Sequence, residues 1–329
     1  MNLEQQKTPL FARPLVMVAV AILCCALWGS ATPAIKNGYL LLEVSGVASI
    51  MLFAGIRFFL AGVFTVAIFS VTGKKFLIPK KENFKKVLII SLFQTVLQYV
   101  FFYLGLDLTT GVKGTVTSGS GAFFALLVAA LIFRQEKFTL RKIVACVLGF
   151  SGIVLMNISG LSASAGKGDL LGVIFVLIST VCASFGSVFV KRYSVGENPV
   201  ALSGYQFAIG GLFMTVVGLS MGGEINFGSF VGVLDLLYLG LLSAIAYSLW
   251  SILLKHNPVS RVSAFNFMIP LFGVLLTRIF LPNEASNVGP WQLFFTLVLI
   301  CVGIFMLNYT PSPKKSVKAK EETSEAHTN

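Results

Sequence analysis

Arg57 makes the sharpest chemical demand in this 329-residue chain. It interrupts an apolar run at 45 to 71, and roughly twelve helical residues at about 1.5 Å each separate it from the outer end, which puts it near mid-depth of a bilayer. A cation there is costly, so it needs a wet cavity or a polar partner. Either the guanidinium binds the anionic part of a solute, or it braces the bundle through backbone carbonyls and helix ends.

Other polar groups recur on the neighbouring runs. Gln94, Gln98, Tyr99 and Tyr103 fall at helical spacing on one stripe of the run at 87 to 106. They read as a hydrated wall, or as interhelical hydrogen bonds worth about 0.6–2 kcal/mol each. Tyr247 and Trp250 hold similar places later in the chain, with Tyr205, Gln206 and Asn266 on adjacent runs. Trp28 fits a cavity wall or an interfacial anchor. Ser118 lies in a small-residue row, Gly114, Ser118 and Ala122, that lets two helices approach closely. These groups stack, accept and donate; they suit recognition of a solute rather than bond breaking.

Catalytic and metal sets are missing from the sequence. His256 falls in a loop and His327 in the tail, the five cysteines lie within apolar runs, and there is no phosphate-binding loop. No metal, cofactor or enzyme activity is expected. The carboxylates Glu43, Asp107, Asp169, Glu224, Asp235 and Glu284 fall towards one membrane face and Glu82, Glu136 and Glu197 towards the other. With none at mid-depth, facilitated diffusion, exchange or coupling through the solute's own charge is favoured over a proton relay.

The elements that must hold these residues are long apolar helices. Hydrophobic residues make up 56% and charged residues 12%, with a mean hydropathy of +0.87, which excludes an ordinary soluble domain. Ten runs are long enough to cross a bilayer: 14 to 36, 45 to 71, 87 to 106, 113 to 133, 141 to 158, 170 to 191, 200 to 221, 232 to 254, 262 to 281 and 290 to 309. The first is too long for a signal core and lacks a suitable cleavage site. Twenty of the 25 Lys and Arg residues then fall on one side, in loops and both termini, while Lys36, Lys113 and Lys167 fall on the other. By the positive-inside rule both termini are cytoplasmic, in a multi-pass protein of the cell membrane. The net charge of +12 is therefore a topology signal, and nucleic acid is excluded as a partner. The tail from Pro311 reads as disordered.

The chain repeats itself. Phe58, Gly62, Phe64 and Gly73 match Phe207, Gly211, Phe213 and Gly222 at an offset of 149. Tyr99, Lys113, Phe124 and Glu136 match Tyr247, Arg261, Phe272 and Glu284 at 148, and Gly152, Ile153 and Asn157 match Gly303, Ile304 and Asn308 at 151. Five helices per copy is an odd number, so the copies, 14–158 and 170–309, must have opposite orientations, with a tail at 310–329. Pro270, aligned with Ala122, is expected to kink its span.

These features resemble the EamA family of the drug/metabolite transporter superfamily over about 14 to 309. The likeness rests on Trp28-Gly29 with Pro33 and Lys36, on Arg57, on a fourth span ending in Glu136 before a glycine-rich fifth, and on Pro270, Glu284 and Gly303. Phe185-Gly186 departs from it, having no tryptophan to match Trp28. The resemblance implies a ten-helix, all-α secondary carrier of small metabolites such as amino acids, with export favoured. Spans one to four and six to nine would enclose a central cavity. The partners expected are a small-molecule substrate and the lipid bilayer, with a homodimer compatible. A non-transporting membrane subunit or a membrane-embedded lipid-modifying enzyme are the alternatives.

Overall fold

The computed structural model describes residues 9–109, 111–158, 168–280 and 289–308. Glu284, Lys167 and the tail from Pro311 lie outside the described residues. Nine helices are long and apolar enough to cross a membrane among the described residues. They are α1 (Pro14–Leu41), α2 (Gly46–Thr72), α3 (Lys81–Leu106), α4 (Lys113–Ile132), α6 (Asp169–Tyr193), α7 (Pro199–Ser220), α8 (Phe230–His256), α9 (Val259–Phe280) and α10 (Pro290–Asn308). Between α4 and α6 lies α5 (Leu140–Asn157), of 18 residues. It sits at the place of the tenth expected span but is outside that set of nine. α1 runs past its expected end at 36, because Tyr39 stacks edge-on against Phe53 of α2 and Leu42 is fully buried. Lys36 therefore lies within a helix.

Starts are set by local chemistry. Pro14 and Pro199 occupy first-turn positions where their missing N–H costs nothing. The Asn198 carboxamide accepts from Val200 N, and the Ser229 hydroxyl from Gly232 N.

α2 and α7 form the central seam. Along it Ala48 meets Gly223, Leu52 meets Gly218, Gly55 meets Thr215, Gly62 meets Ala208 and Thr65 meets Gly204. One series rises as the other falls, so the two helices run antiparallel. A Cβ on Gly62 would strike the backbone of Ala208 and Gly204, and one on Gly211 the backbone of Phe59 and Gly55. Only glycine permits backbones this close, and close packing is what holds helices together where lipid offers no hydrophobic drive. α5 and α10 also pair antiparallel, with Thr296 bonded to Gly152 O at 3.1 Å and Gln292 to Leu155 O at 2.6 Å. Around the seam α1 packs on α8 and α9, α6 packs on α3 and α4, and α2 meets α8 as α7 meets α3. Leu, Val and Phe side chains cover the outer faces; Trp291, Phe294, Phe295 and Phe305 of α10 are all exposed, as a lipid-facing helix requires.

Three spans are irregular. α3 contains a π-helical stretch at Leu92–Leu97 and α4 another at Val128–Ile132. α9 narrows to a 3₁₀ turn at Ala264–Phe267 just before Pro270. The proline has no N–H for the Asn266 carbonyl, and the tighter turn replaces the α-helical pattern there.

The Lys/Arg-rich face is tied by two carboxylates. Glu197 accepts from Lys80 N and Asn83 Nδ2 at 2.8 Å each, and its carbonyl accepts from Lys255 Nζ, so segments 74–86 and 255–261 meet on one face. Glu136, with 4% of its side chain exposed, accepts from Lys142 Nζ at 2.6 Å, from Ser260 N at 3.0 Å and from the Ser260 hydroxyl. This joins the α4–α5 loop to the start of α9. Burial pushes the Glu136 carboxyl up, but these donors outweigh it and hold it below the ordinary carboxylate value. A lowered value means the stabilisation is complete above the ordinary carboxylate range and is lost as pH falls from that range through the lowered value. The melting temperature in detergent should therefore fall as pH drops below about 5, and Glu136→Gln should be less stable at pH 6 with a weaker acid dependence. An unchanged acid dependence in that variant would show that Glu136 does not contribute.

Candidate functional site

The site is built from paired positions of the internal repeat. Phe58 of α2 and Phe207 of α7 stack on one another with ring centroids 5.3 Å apart and planes 11° apart. Tyr99 of α3 and Tyr247 of α8 share a hydrogen bond between their hydroxyls at 2.8 Å. Each pair joins residues one repeat apart. Further ring contacts connect them: Tyr99 on Phe58 at 4.4 Å and Tyr247 on Phe207 at 4.6 Å. Trp28 of α1 then meets Tyr247 and Trp250 edge-on at 4.9 Å each. The result is a continuous aromatic layer drawn from five helices. Offset and edge-on contacts of this kind add about 0.5–1.5 kcal/mol each beyond burial.

Arg57 and Gln206 flank the layer. Arg57 is 4% exposed, its Nε donates to the Ser243 hydroxyl at 3.2 Å, and its guanidinium lies over Phe58 at 5.1 Å. Gln206 is fully buried and its Oε1 accepts from the Thr95 hydroxyl at 2.6 Å. Ser243 and Thr95 are again one repeat apart, so the two polar contacts correspond. One carries a positive charge and the other none. Ser243 itself donates back to Leu239 O at 2.7 Å, which fixes the lone pair that Arg57 uses.

Several polar atoms in or beside this layer are buried and lack a hydrogen-bond partner: Trp28 Nε1, Gln94 Oε1, Gln206 Nε2 and Ser248 Oγ; Ser118 Oγ, on α4, is unpartnered as well. Buried polar atoms are normally paired, so these donors and acceptors have hydrogen-bonding capacity that the protein itself does not use. Gln94 sits in the π-helical stretch of α3, one residue before Thr95, and its Cβ packs on Gly186 of α6. π-helical turns recur at functional sites.

Of the residues singled out by sequence, Trp28, Arg57, Tyr99, Gln206, Tyr247 and Trp250 come together here. Gln94 adjoins them through Thr95. Gln98 and Asn266 are half-buried on α3 and α9, and among the described residues no hydrogen bond or ring contact connects either of them, or Ser118, to the aromatic layer. Phe58, Phe207, Thr95 and Ser243 were not singled out as site residues. The repeat offset could have found them, because it pairs Thr95 with Ser243 in the same register as Tyr99 with Tyr247.

The chain is similar to known proteins over most of its length. The model of the EamA-like transporter family matches residues 15–158 and again residues 170–309. An uncharacterized transporter of Archaeoglobus fulgidus is 27% identical over 273 residues, which cover 81% of this chain and 91% of that one. A WAT1-related chloroplastic protein of Arabidopsis thaliana is 23% identical over 293 residues, covering 86% of this chain and 67% of the relative. A protein known by crystal structure matches at a TM-score of 0.70 and 16% identity, over 90% of this chain and 98% of that one, which is a likeness of fold.

The Tyr99–Tyr247 bond can be weighed by a double-mutant cycle. Tyr99→Phe and Tyr247→Phe should each cost about 0.6–1.7 kcal/mol of stability in reversible unfolding, and the double variant should cost no more than either single one. Additive losses would mean that the two hydroxyls are not bonded to each other.

Proposed function

The chain belongs to the EamA-like transporter family, and we propose that it is a secondary carrier that moves a small amphipathic metabolite across the plasma membrane by alternating access. Its halves, 14–158 and 170–309, act as inverted copies, with α5 supplying the tenth span. Supporting this, α2 and α7, which correspond in the repeat, run antiparallel, as do α5 and α10. Two such copies can exchange conformations, so that an opening on one face becomes the matching opening on the other.

The observation that carries the substrate reading is Arg57, buried against the aromatic layer with a neutral glutamine as its counterpart. A solute with a carboxylate and a flat apolar part would satisfy both: the carboxylate on the guanidinium, the apolar part among Trp28, Phe58, Tyr99 and Tyr247. Amino acids and related monocarboxylates are the class proposed. Trp28, Arg57, Gln94, Gln98, Tyr99, Ser118, Gln206, Tyr247, Trp250 and Asn266 are the residues proposed to line the path.

The Lys/Arg-rich face is taken as cytoplasmic, with both termini on it. Export is the direction proposed. An open cavity of about 820 Å³ at that face, lined by Phe69, Val200 and Ile252, which belong to the same three helices that carry Phe58, Gln206 and Tyr247, together with Lys80, Lys255 and His256, is the proposed entry for a cytoplasmic solute.

Purified protein in liposomes should carry at least one labelled solute from a panel of amino acids, aromatic monocarboxylates and organic amines. Arg57→Gln should slow that flux about thirtyfold or more, with Arg57→Lys retaining part of it. Carriage of organic amines alone, or flux indifferent to Arg57→Gln, would overturn the reading.

A further inference from the structure

Asp235 is a charged residue that the aromatic layer does not use. It is the sixth residue of α8 (Phe230–His256), inside the span, and lies two helical turns from Ser243, the residue that holds Arg57. Its Oδ2 is sealed from solvent and has no hydrogen-bond partner. The seal is made by α1: a Cβ on Gly38 would fall 2.8 Å from that oxygen and 2.9 Å from the Phe53 ring, so only glycine leaves the carboxylate its place. Arg57 lies within electrostatic reach of Asp235, yet the two form no ion pair.

An ionised carboxylate with one oxygen buried and undonated is an expensive arrangement, and two events relieve it. A nearby cation can offset the charge, or a proton can remove it. Arg57 performs the first only while its own charge is uncompensated. We propose that Asp235 is a proton-binding site of the carrier, linked through Arg57 to occupancy by an anionic solute. The carboxylate is stabilised by the bare guanidinium; a solute anion seated on Arg57 cancels that field, and Asp235 then takes up a proton. The O–H bond forms on the carboxyl oxygen and the proton comes from water on the exposed side of the residue. Solute anion and proton thus favour each other's binding, as linkage between two sites requires, and they cross together, with net direction set by their two gradients. This departs from the sequence expectation of facilitated diffusion, exchange or coupling through the solute's own charge, which rested on the lack of a carboxylate at mid-depth.

The other charged or titratable groups around this end of α8 are Tyr39 and Lys36 on α1, Glu43 in the loop after it, Tyr103 on α3 and Glu224 in the loop after α7. Tyr39 and Tyr103 approach each other and Arg57. Glu224 is turned to α2, its N–H bonding the Ser49 hydroxyl at 3.1 Å. Among these, Arg57 is the cation that acts directly on Asp235.

The assignment rests on the substrate reading for its link to solute, but proton binding itself is testable without any solute. Full-length protein in nanodiscs, titrated with acid in an infrared cell, should show a protonated-carboxyl band that Asp235→Asn removes. Arg57→Gln should keep that band to a proton concentration at least about tenfold lower than the unmodified protein does, whereas Arg57→Lys, which retains the charge, should titrate like the unmodified protein. Circular dichroism on the same samples distinguishes a shifted site from an unfolded chain. A spectrum unchanged by Asp235→Asn, or a band unmoved by Arg57→Gln in folded protein, would overturn the proposal. Flux with no proton movement, in liposomes carrying an internal pH dye, would sever the link to solute while leaving the transport reading intact.

Discussion

The contact of α2 with α7 is the constraint from which the rest of the architecture follows. In lipid, helices gain nothing from hiding apolar surface, so two backbones must approach closely enough for dispersion to hold them. Gly55, Gly62, Gly204, Gly211 and Gly218 supply that approach, and they do so reciprocally: Gly62 lies against Ala208 and Gly204, while Gly211 lies against Phe59 and Gly55. Such self-matching is the signature of a two-fold relation, here within a single chain. Once the seam is fixed, Phe58 must stack on Phe207, and Tyr99 and Tyr247 are brought hydroxyl to hydroxyl.

The departure from symmetry is concentrated one residue from the stacked phenylalanines, where Arg57 in one half faces Gln206 in the other. Both are anchored the same way, on Ser243 and Thr95. The anchoring answers the structural requirement of burying a polar side chain, and the charge difference is the feature on which the proposed preference for an anionic solute rests. The bracing and binding readings of Arg57 are therefore compatible, because one guanidinium edge is engaged by Ser243 while the aromatic layer lies alongside it. Asp235 extends the same asymmetry along α8 towards the opposite face, since its repeat register offers no second carboxylate.

Much of this was legible in the sequence because its causes are local or repetitive. Span positions follow from apolar run length, and the ends found differ from the expected ones by a few residues. The larger exceptions are informative. α1 extends to Leu41 because Tyr39 and Leu42 pack on neighbours that a run-length argument does not see, and α3 begins at Lys81, within a polar stretch. The helical stripe on α3 correctly brought Tyr99 to the centre, but it could not separate Gln94, which packs on Gly186, from Gln98, which stays half-buried. Helical periodicity gives a face, whereas the π-helical stretch at Leu92–Leu97 shifts that face midway. Thr95 and Ser243 escaped notice as ordinary small polar residues; their role comes entirely from tertiary pairing. Asp235 was assigned to a membrane face by counting residues, and its sealed oxygen depends on Gly38, nearly two hundred positions away.

Inverted halves require that their corresponding helices cross in opposite directions. Thiol cross-linking in a background without the five native cysteines addresses it directly. Ser49→Cys should link to Glu224→Cys, because the Glu224 N–H bonds the Ser49 hydroxyl at one end of the seam, and Phe69→Cys should link to Val200→Cys, which share the cavity at the other end. Linking of Ser49→Cys to Val200→Cys, with neither expected pair formed, would mean parallel helices and would contradict the account.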